Sequence, residues 1–316
     1  MSAYRRRIGA CVLLMLAASA TAARAQLNTQ HLKGSAGLKA GSQPPPHIYV
    51  VAPLVYVYQT DTVRTNDGSK LPIDASISSV AYGAGLFQVT TKKILGGFYG
   101  YQILFPVGAN NRIQGTEIDQ NPGAGLTDSV VQPLNLGWHF KRADAMATYT
   151  IYLPTGRYSD GAANNTGFGM WGNEVSFGTT VYLNAKKQYH AGTQASISFQ
   201  SKKEDSETKV GTNLVLEGGI GGDFKEGRIS AGLAYNSGIK LTEDKIDFLP
   251  ERLGPEKARS LALGPEATFV LMSKGRILGF IKLNYEWEVF AKNTTQGRNF
   301  LVAATFPWPA IRLPGQ

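Results

Sequence analysis

Residues 175–199 read VSFGTTVYLNAKKQYHAGTQASISF, and their side chains alternate in character on both sides of a short polar turn. In the first arm Val175 and Phe177 fall on one face, while Ser176 and Thr180 fall on the other. The second arm alternates in the same way. Alternation with a period of two on both sides of a tight turn predicts an antiparallel hairpin with one apolar and one small, polar face.

Each arm of this hairpin holds about 10 residues, which is the length that a tilted strand needs to cross a bilayer. In a transmembrane barrel the apolar face meets lipid and the polar face meets the lumen. The same pattern recurs between residues 47 and 307, where we count 12 strands. An even number of strands is typical of single-chain bacterial barrels. We therefore predict an all-β fold, a 12-stranded antiparallel transmembrane β-barrel of the outer membrane.

The connections between the predicted strands alternate in length. Short turns lie near Lys92, Arg142, Lys186, Lys225 and Lys274. The other connections are mostly long, at 60–74, 108–125, 155–173 and 238–258, with short exceptions at 202–208 and 292–297. Because bacterial barrels place short turns in the periplasm, the long connections are predicted to be extracellular loops. A soluble β-sandwich is the competing architecture, but it leaves this asymmetry unexplained.

The first 25 residues have the features of a cleaved secretory signal. Three arginines at 5–7 precede an apolar core at 8–22, and Ala23-Arg24-Ala25 forms an A-x-A cleavage site. We therefore predict an exported protein that begins at Gln26. The single cysteine, Cys11, lies inside the predicted signal, so disulfides and thiolate sites are not expected in the mature chain.

Composition is consistent with a barrel. Charged residues make up 17% of the chain, below the roughly 25% of ordinary globular domains. The mean hydropathy is only −0.15, but alternation hides the lipid face of a barrel from such averages. The net charge of +9 includes four arginines of the predicted signal, and the remaining excess is spread over turns. This distribution does not indicate a nucleic-acid surface.

Residues 26–46 form a polar, glycine-rich lead-in that ends in Pro44-Pro45-Pro46, and such a proline run is stiff and extended. The segment is either a loose periplasmic lead-in or a plug, and we expect it to contact the lumen or its periplasmic mouth. Residues 47–307 are assigned to the barrel and 308–316 to a C-terminal extension.

Polar residues on the inward register of the predicted strands are candidates for lining the lumen. They are Glu174, Gln194, Asn213, Glu217, Glu266, Lys282, Asn284, Glu286 and Glu288. Counting outward from the turn at 273–275 predicts that Glu266 and Lys282 lie directly opposite each other on the inner face. A charge that faces the lumen avoids the penalty of roughly 2–4 kcal/mol that a basic residue meets on the lipid face.

Two further groups of residues are candidates for a functional role. In the 155–173 loop, Arg157, Tyr158, Phe168 and Trp171 form either a constriction folded into the lumen or part of an exposed loop. His139 and His190 are predicted to face inward near the periplasmic rim. A metal site needs three convergent ligands, and a barrel hydrolase needs its histidine at the outer rim with Ser and an acid. We therefore predict no metal, no cofactor and no enzymatic activity.

Several stretches resemble one family. They are HLKGSAGLKAGSQPPP at 31–46, NLGW at 135–138, IYLPTGRY at 151–158 and GMWGNE at 169–174. Together they resemble the bacterial outer-membrane proteins named for the meta-pathway of phenol degradation, over nearly the whole mature chain. The resemblance implies an outer-membrane channel or transporter, often linked to the uptake of aromatic or other hydrophobic compounds. It brings no catalytic residues.

Twelve strands fall between 8-stranded barrels that side chains fill and 16–18-stranded porins with open channels. A narrow lumen follows, and with the resemblance it predicts passive uptake of small, hydrophobic or aromatic compounds. The alternative is a structural or adhesive outer-membrane barrel with a closed lumen. The expected partners are the lipid bilayer, lipopolysaccharide, a small-molecule solute and the barrel-assembly machinery, with no nucleic acid.

Overall fold

The computed structural model describes residues 29–72, 74–115, 118–121, 123–160, 162, 164–245 and 257–312. The predicted signal at 1–25 lies outside these residues. Within them, no helix is both long and apolar enough to cross a membrane. All of the regular structure in the described ranges consists of β-strands.

Twelve strands of the described chain build the wall of the barrel. They are β1 (His47–Val63), β2 (Ala75–Ile94), β3 (Gly97–Gly115), β5 (Ser129–His139), β6 (Ala143–Leu153), β7 (Gly172–Tyr182), β8 (Tyr189–Gln200), β9 (Asn213–Phe224), β10 (Ile229–Lys240), β11 (Arg259–Ser273), β12 (Arg276–Lys292) and β13 (Thr295–Trp308). Two short strands, β4 (Ile118–Gln120) and β14 (Ile311–Arg312), pair with β3 and β12.

The twelve wall strands form a closed antiparallel barrel. Each pairs with its neighbours in chain order, and β1 pairs with β13 to complete the ring. The predicted fold is therefore confirmed, with short turns at one end and longer connections at the other, except for the two-residue connection at 293–294 between β12 and β13. Closure leaves no long unpaired strand edge, which is the condition for a sheet to cross a bilayer.

The hairpin of β7 and β8 has the two faces that its sequence predicts. Val175 and Phe177 are 55% and 60% exposed on the outer face. Ser176 is buried in the lumen and lies opposite Ser196 on β8, to which it is hydrogen-bonded. An apolar outer surface around a polar interior is the arrangement that a lipid environment requires.

Strand β1 is apolar on both faces, and its sequence alone does not orient it. The pairing of β1 with both neighbours is irregular between Val51 and Leu54, around Pro53, which has no backbone N–H to donate. The inward register therefore changes along the strand: Tyr49 is buried before the irregularity, and Tyr56 lines the interior after it.

Strand β3 continues well past its predicted end. It runs to Gly115, although 108–125 was predicted as a loop. The extension exists because β2 continues beside it, with Ala75 opposite Gly115 at the far end of the hairpin. Polar composition alone does not distinguish such a strand end from a loop, because nothing apolar needs to be covered there.

The predicted pairing of Glu266 with Lys282 is wrong by two positions. The turn between β11 and β12 has only two residues, 274 and 275, and Leu278 is an extra, unpaired residue in β12. Glu266 therefore lies opposite Asn284. Both charged side chains still face the lumen and form a diagonal ion pair, with Lys282 Nζ 3.3 Å from Glu266 Oε2.

Candidate functional site: the occupied lumen

Residues 29–46, here called the lumenal segment, lie inside the barrel. Leu38 and Ala40 are each 2% exposed, so the walls surround the segment. Its Ser42 contacts Asp144 beside a short turn. Its Gln30 contacts the backbone of Met170 beside the long connections. The segment therefore runs along most of the length of the lumen.

Glycines allow the segment to lie close against the wall. Gly34 and Gly37 have φ angles of +80° and +69°, a region in which other residues are strained. At Gly41 a Cβ atom would lie 2.2 Å from the Cα atom of Thr179. The glycine-rich composition of the lead-in is therefore a consequence of close backbone contact with the barrel.

A buried histidine connects the segment to two wall strands. His31 Nδ1 lies 2.9 Å from Glu174 Oε2 on β7, and its Nε2 lies 3.3 Å from Glu217 Oε2 on β9. The three side chains are only 5%, 4% and 2% exposed. Buried carboxylates are stable only with a partner, and removing one partner is strongly destabilising. His31 is therefore the central electrostatic contact between segment and wall.

Wall carboxylates also bind the backbone of the segment. Glu217 accepts hydrogen bonds from the amides of Gly34 and Ala36, the latter at 3.2 Å. Glu266 accepts one from the amide of Leu38 at 3.0 Å. A buried irregular segment has no regular structure in which its own carbonyl groups accept from its backbone N–H groups. These N–H groups therefore need acceptors such as the wall carboxylates.

Further polar contacts fix the periplasmic half of the segment. Lys39 Nζ lies 2.7 Å from Asp223 Oδ2. Ser42 Oγ donates a hydrogen bond of 2.8 Å to Asp144. Beside it, Gln43 Nε2 donates to the side chain of Asn135 at 2.7 Å. These contacts come from different strands, so they hold the segment across the barrel.

Asp128 holds the extracellular end of the segment. Its carboxylate accepts hydrogen bonds from Gln30 Nε2 at 3.1 Å and from the Gly156 and Phe168 amides at 3.1 and 3.0 Å. Burial raises the pKa of Asp128, while the three donors oppose that shift. One carboxylate thus connects the lumenal segment to the loop between β6 and β7.

The nine residues expected to line the lumen all lie on the inner side of the wall. Five contact the lumenal segment: Glu174, Glu217, Glu266, Lys282 and Glu288. Two more, Asn284 and Glu286, are hydrogen-bonded to each other, and Asn284 also to Glu266. Gln194 and Asn213 line the remaining cavity. The structure therefore gathers most of this set around the segment and leaves two residues facing open space.

The four loop residues considered for a constriction are not gathered at one point. Only Phe168 lines the cavity. Trp171 is half exposed, and Arg157 Nε donates a hydrogen bond to the carbonyl of Asn164 within the loop. The Nζ atom of Lys203 lies over the ring of Tyr158, 5.2 Å from the ring centroid. The lumenal segment, not this loop, fills the lumen.

A cavity of about 620 Å³ remains beside the segment. Apolar and aromatic side chains line much of it, including Leu54, Tyr56, Phe87, Leu104 and Met146. Polar side chains contribute elsewhere, including Gln102, Gln132, Thr148 and Thr150. Mostly apolar cavities of roughly 300–1,000 Å³ with a few polar groups are typical of small-molecule sites.

The inward histidines of the wall pair with single acids. His139 Nδ1 lies 3.1 Å from Asp144, and His190 Nε2 lies 3.5 Å from Asp223. In the part of the chain that the structure describes, no three His, Cys, Asp or Glu side chains are arranged to hold a metal ion.

Sequence reasoning missed the residues of the segment that make these contacts. His31, Lys33 and Gln43 belong to no periodic pattern, and their partners lie more than 90 positions away in the chain. The spacing of Gly34, Gly37 and Gly41 was the available signal, since repeated glycines indicate close backbone approach.

A closed barrel with an apolar outer surface and a polar, occupied interior defines a bacterial outer-membrane β-barrel protein. The chain belongs to the family described as "Putative MetA-pathway of phenol degradation", whose model matches residues 60–303. This match confirms the resemblance found in the sequence.

A solved structure has the same fold. An outer membrane channel from Pseudomonas putida F1 has a TM-score of 0.70 and 14% identity, over 84% of this chain and 97% of that chain. The β domain of the Bordetella autotransporter BrkA also matches, with a TM-score of 0.42 and 14% identity over 83% of this chain and 99% of its own. No curated protein matches this chain.

Proposed function

We propose that this outer-membrane protein is a channel for the passive uptake of small, hydrophobic or aromatic compounds. The observation that carries the proposal is the cavity of about 620 Å³ beside the lumenal segment, with its apolar and aromatic lining residues. A solute with an aromatic ring would pack against these side chains. The family description, which names phenol degradation, and the channel from Pseudomonas putida F1 support the same class of function.

In this proposal the lumenal segment acts as a plug that moves during transport. Its contacts with the wall are mostly ion pairs and hydrogen bonds, which water can replace once the segment shifts. Lys33 and Lys39 keep part of their side chains exposed, at 31% and 38%, so water already reaches these contacts. The segment is therefore held firmly but reversibly.

The second candidate is a structural or adhesive barrel whose lumen stays closed. The occupied lumen itself favours this candidate, because a fixed segment would block passage. The two candidates differ in one measurable respect. If the barrel is closed, a substitution that fills the cavity does not change the entry of a solute into the cell.

The cavity can be filled to test the channel. Ala81 lies on the inner face of β2, opposite Tyr56, and lines the cavity. We expect Ala81→Trp to reduce entry of the fluorescent aromatic probe N-phenyl-1-naphthylamine into intact cells several-fold. The tryptophan occupies space through which the probe would pass, and the empty cavity accommodates it without overpacking.

Ala195→Trp is the matched control, because Ala195 lies on the lipid-facing side of β8 opposite the exposed Phe177. The control is expected to leave probe entry unchanged. The channel proposal would be contradicted if the probe entered at the same rate in cells with the wild type, with either variant and without the protein. That result would favour the closed barrel.

A further inference from the structure

Three basic side chains lie on the outer surface of the barrel toward its extracellular end: Arg259 on β11, Lys292 on β12 and Arg298 on β13. Arg259 is exposed, whereas the next residue, Ser260, is buried inside, so the alternation of β11 places Arg259 on the outward register, at the rim of the cavity that both residues line. Lys292 lies directly opposite Arg259 in the β11–β12 ladder and shares its face. The strands thus place cations on one strip of the outer wall.

Arg259 and Lys292 form a like-charge pair. Cross-strand partners have Cβ atoms roughly 4.5–5.5 Å apart, and like charges at that position are destabilising. Among the described residues, no ion pair neutralises either side chain. The pair therefore leaves a concentrated positive charge that an external anion would stabilise.

Arg298 adds a third cation lower on the same strip. It lies opposite Trp287 of β12, five residues before Lys292, or roughly 15 Å along the strand. Its guanidinium donates a hydrogen bond of 3.3 Å to Gln59 Oε1 on β1. A long side chain at this level can extend its charged end toward the membrane surface.

Exposed aromatic residues mark the membrane boundary next to this strip. Trp287 and Phe290 are 46% and 49% exposed, and Tyr285 and Phe300 are exposed at 36% and 38%. Aromatic girdles lie at the interfaces of transmembrane barrels. Arg259 and Lys292 follow the girdle on the extracellular side, which is the level of the outer-leaflet headgroups.

We propose that Arg259, Lys292 and Arg298 bind the phosphate groups of lipopolysaccharide, the anionic lipid of the outer leaflet. A guanidinium can donate two parallel hydrogen bonds to one phosphate, and lysine adds a point charge beside it. The lipid would thereby neutralise the like-charge pair while its acyl chains pack along the aromatic girdle. The function of the strip is to fix lipid on one side of the barrel.

The test uses the full mature chain, purified and freed of lipid, with bis-phosphorylated lipid A as the probe and native mass spectrometry as the readout. We expect the combined variant Arg259→Gln, Lys292→Gln and Arg298→Gln to bind this lipid on the order of a hundredfold more weakly, since each cation near an anionic surface contributes about a factor of five. The single variant Lys292→Glu should also weaken binding, and it provides a readout should the combined variant fail to fold.

The control variant removes three exposed cations from periplasmic turns: Lys92→Gln, Lys186→Gln and Lys225→Gln. It is expected to bind as the wild type does, and lipid A without phosphates is expected to bind the wild type and the combined variant equally. Unchanged binding by the combined variant and by Lys292→Glu would overturn the proposal. So would an equal loss in the control, which would indicate attraction by net charge alone.

Discussion

Deleting residues 26–43 is expected to raise the single-channel conductance of the reconstituted barrel several-fold. The described part of this stretch occupies the lumen, and the first wall strand of the described residues begins at His47. The polyproline run and the first strand are retained, so the barrel keeps all of its hydrogen-bonded strand pairs. Conductance in planar bilayers measures the change directly, and heat-modifiable migration on gels checks that the barrel is folded.

The same deletion is expected to make the barrel cation-selective. It removes the histidine and lysines of the segment and leaves carboxylates facing the open lumen, including Glu174, Glu217, Glu266, Glu286 and Glu288 as well as Asp144 and Asp223. Rings of carboxylates favour cations in pores. The reversal potential measured in a salt gradient should therefore move toward the equilibrium potential of the cation. A folded deletion variant with wild-type conductance and selectivity would show that the segment does not obstruct the lumen.

Replacing His31 by alanine should release the segment from the wall. The change leaves Glu174 and Glu217 buried without their shared cation, and breaking a buried pair in this way costs about 3–5 kcal/mol. Because each 1.4 kcal/mol is a factor of ten, the ratio of open to closed channels should rise by more than about a hundredfold. The fraction of time that single channels spend open gives this ratio.

Lys33→Ala is the control for this prediction. Lys33 also pairs with a buried carboxylate, with Nζ 3.2 Å from Glu288 Oε1, but its own side chain is 31% exposed to water. A pair that water reaches contributes only about 0–1 kcal/mol, so a much smaller effect is expected. Equal effects of the two variants would show that His31 is not the dominant contact.

The barrel could be predicted because its determinants are local. Alternation in residues 175–199 fixes both faces of one hairpin, and repeating that pattern fixes the number of strands. Errors arose where one residue breaks the alternation. Pro53 shifts the inward register of β1. The two-residue turn at 274–275 and the extra residue Leu278 each move the partner of Glu266 by one position, from Lys282 to Asn284. Because the side-chain period is two, such single insertions are not visible in a pattern of polar and apolar residues.

The lumenal site could be predicted only in part. The glutamates of the wall lie on periodic strands, so their inward direction follows from the alternation. The lumenal segment has no period, and its position depends on contacts such as His31 with Glu217, which are 186 positions apart in the chain. Glycine spacing indicates close packing against something, but it does not identify the partner. Only the closed barrel brings these groups together.

In the proposed channel the lumenal segment must move for a solute to pass, and one cross-linking measurement tests this movement most directly. Lys33 Nζ lies 3.5 Å from Ser260 Oγ on the inner wall. The variant Lys33→Cys with Ser260→Cys can be joined by a short, cleavable bis-maleimide, because the only native cysteine, Cys11, lies in the predicted signal.

Single-channel openings of the cross-linked protein are then compared before and after cleavage of the linker, with each single-cysteine variant treated in the same way as a control. We predict that the joined segment abolishes openings and that cleavage restores them. Openings that continue at the wild-type frequency while the cross-link is complete would contradict the claim.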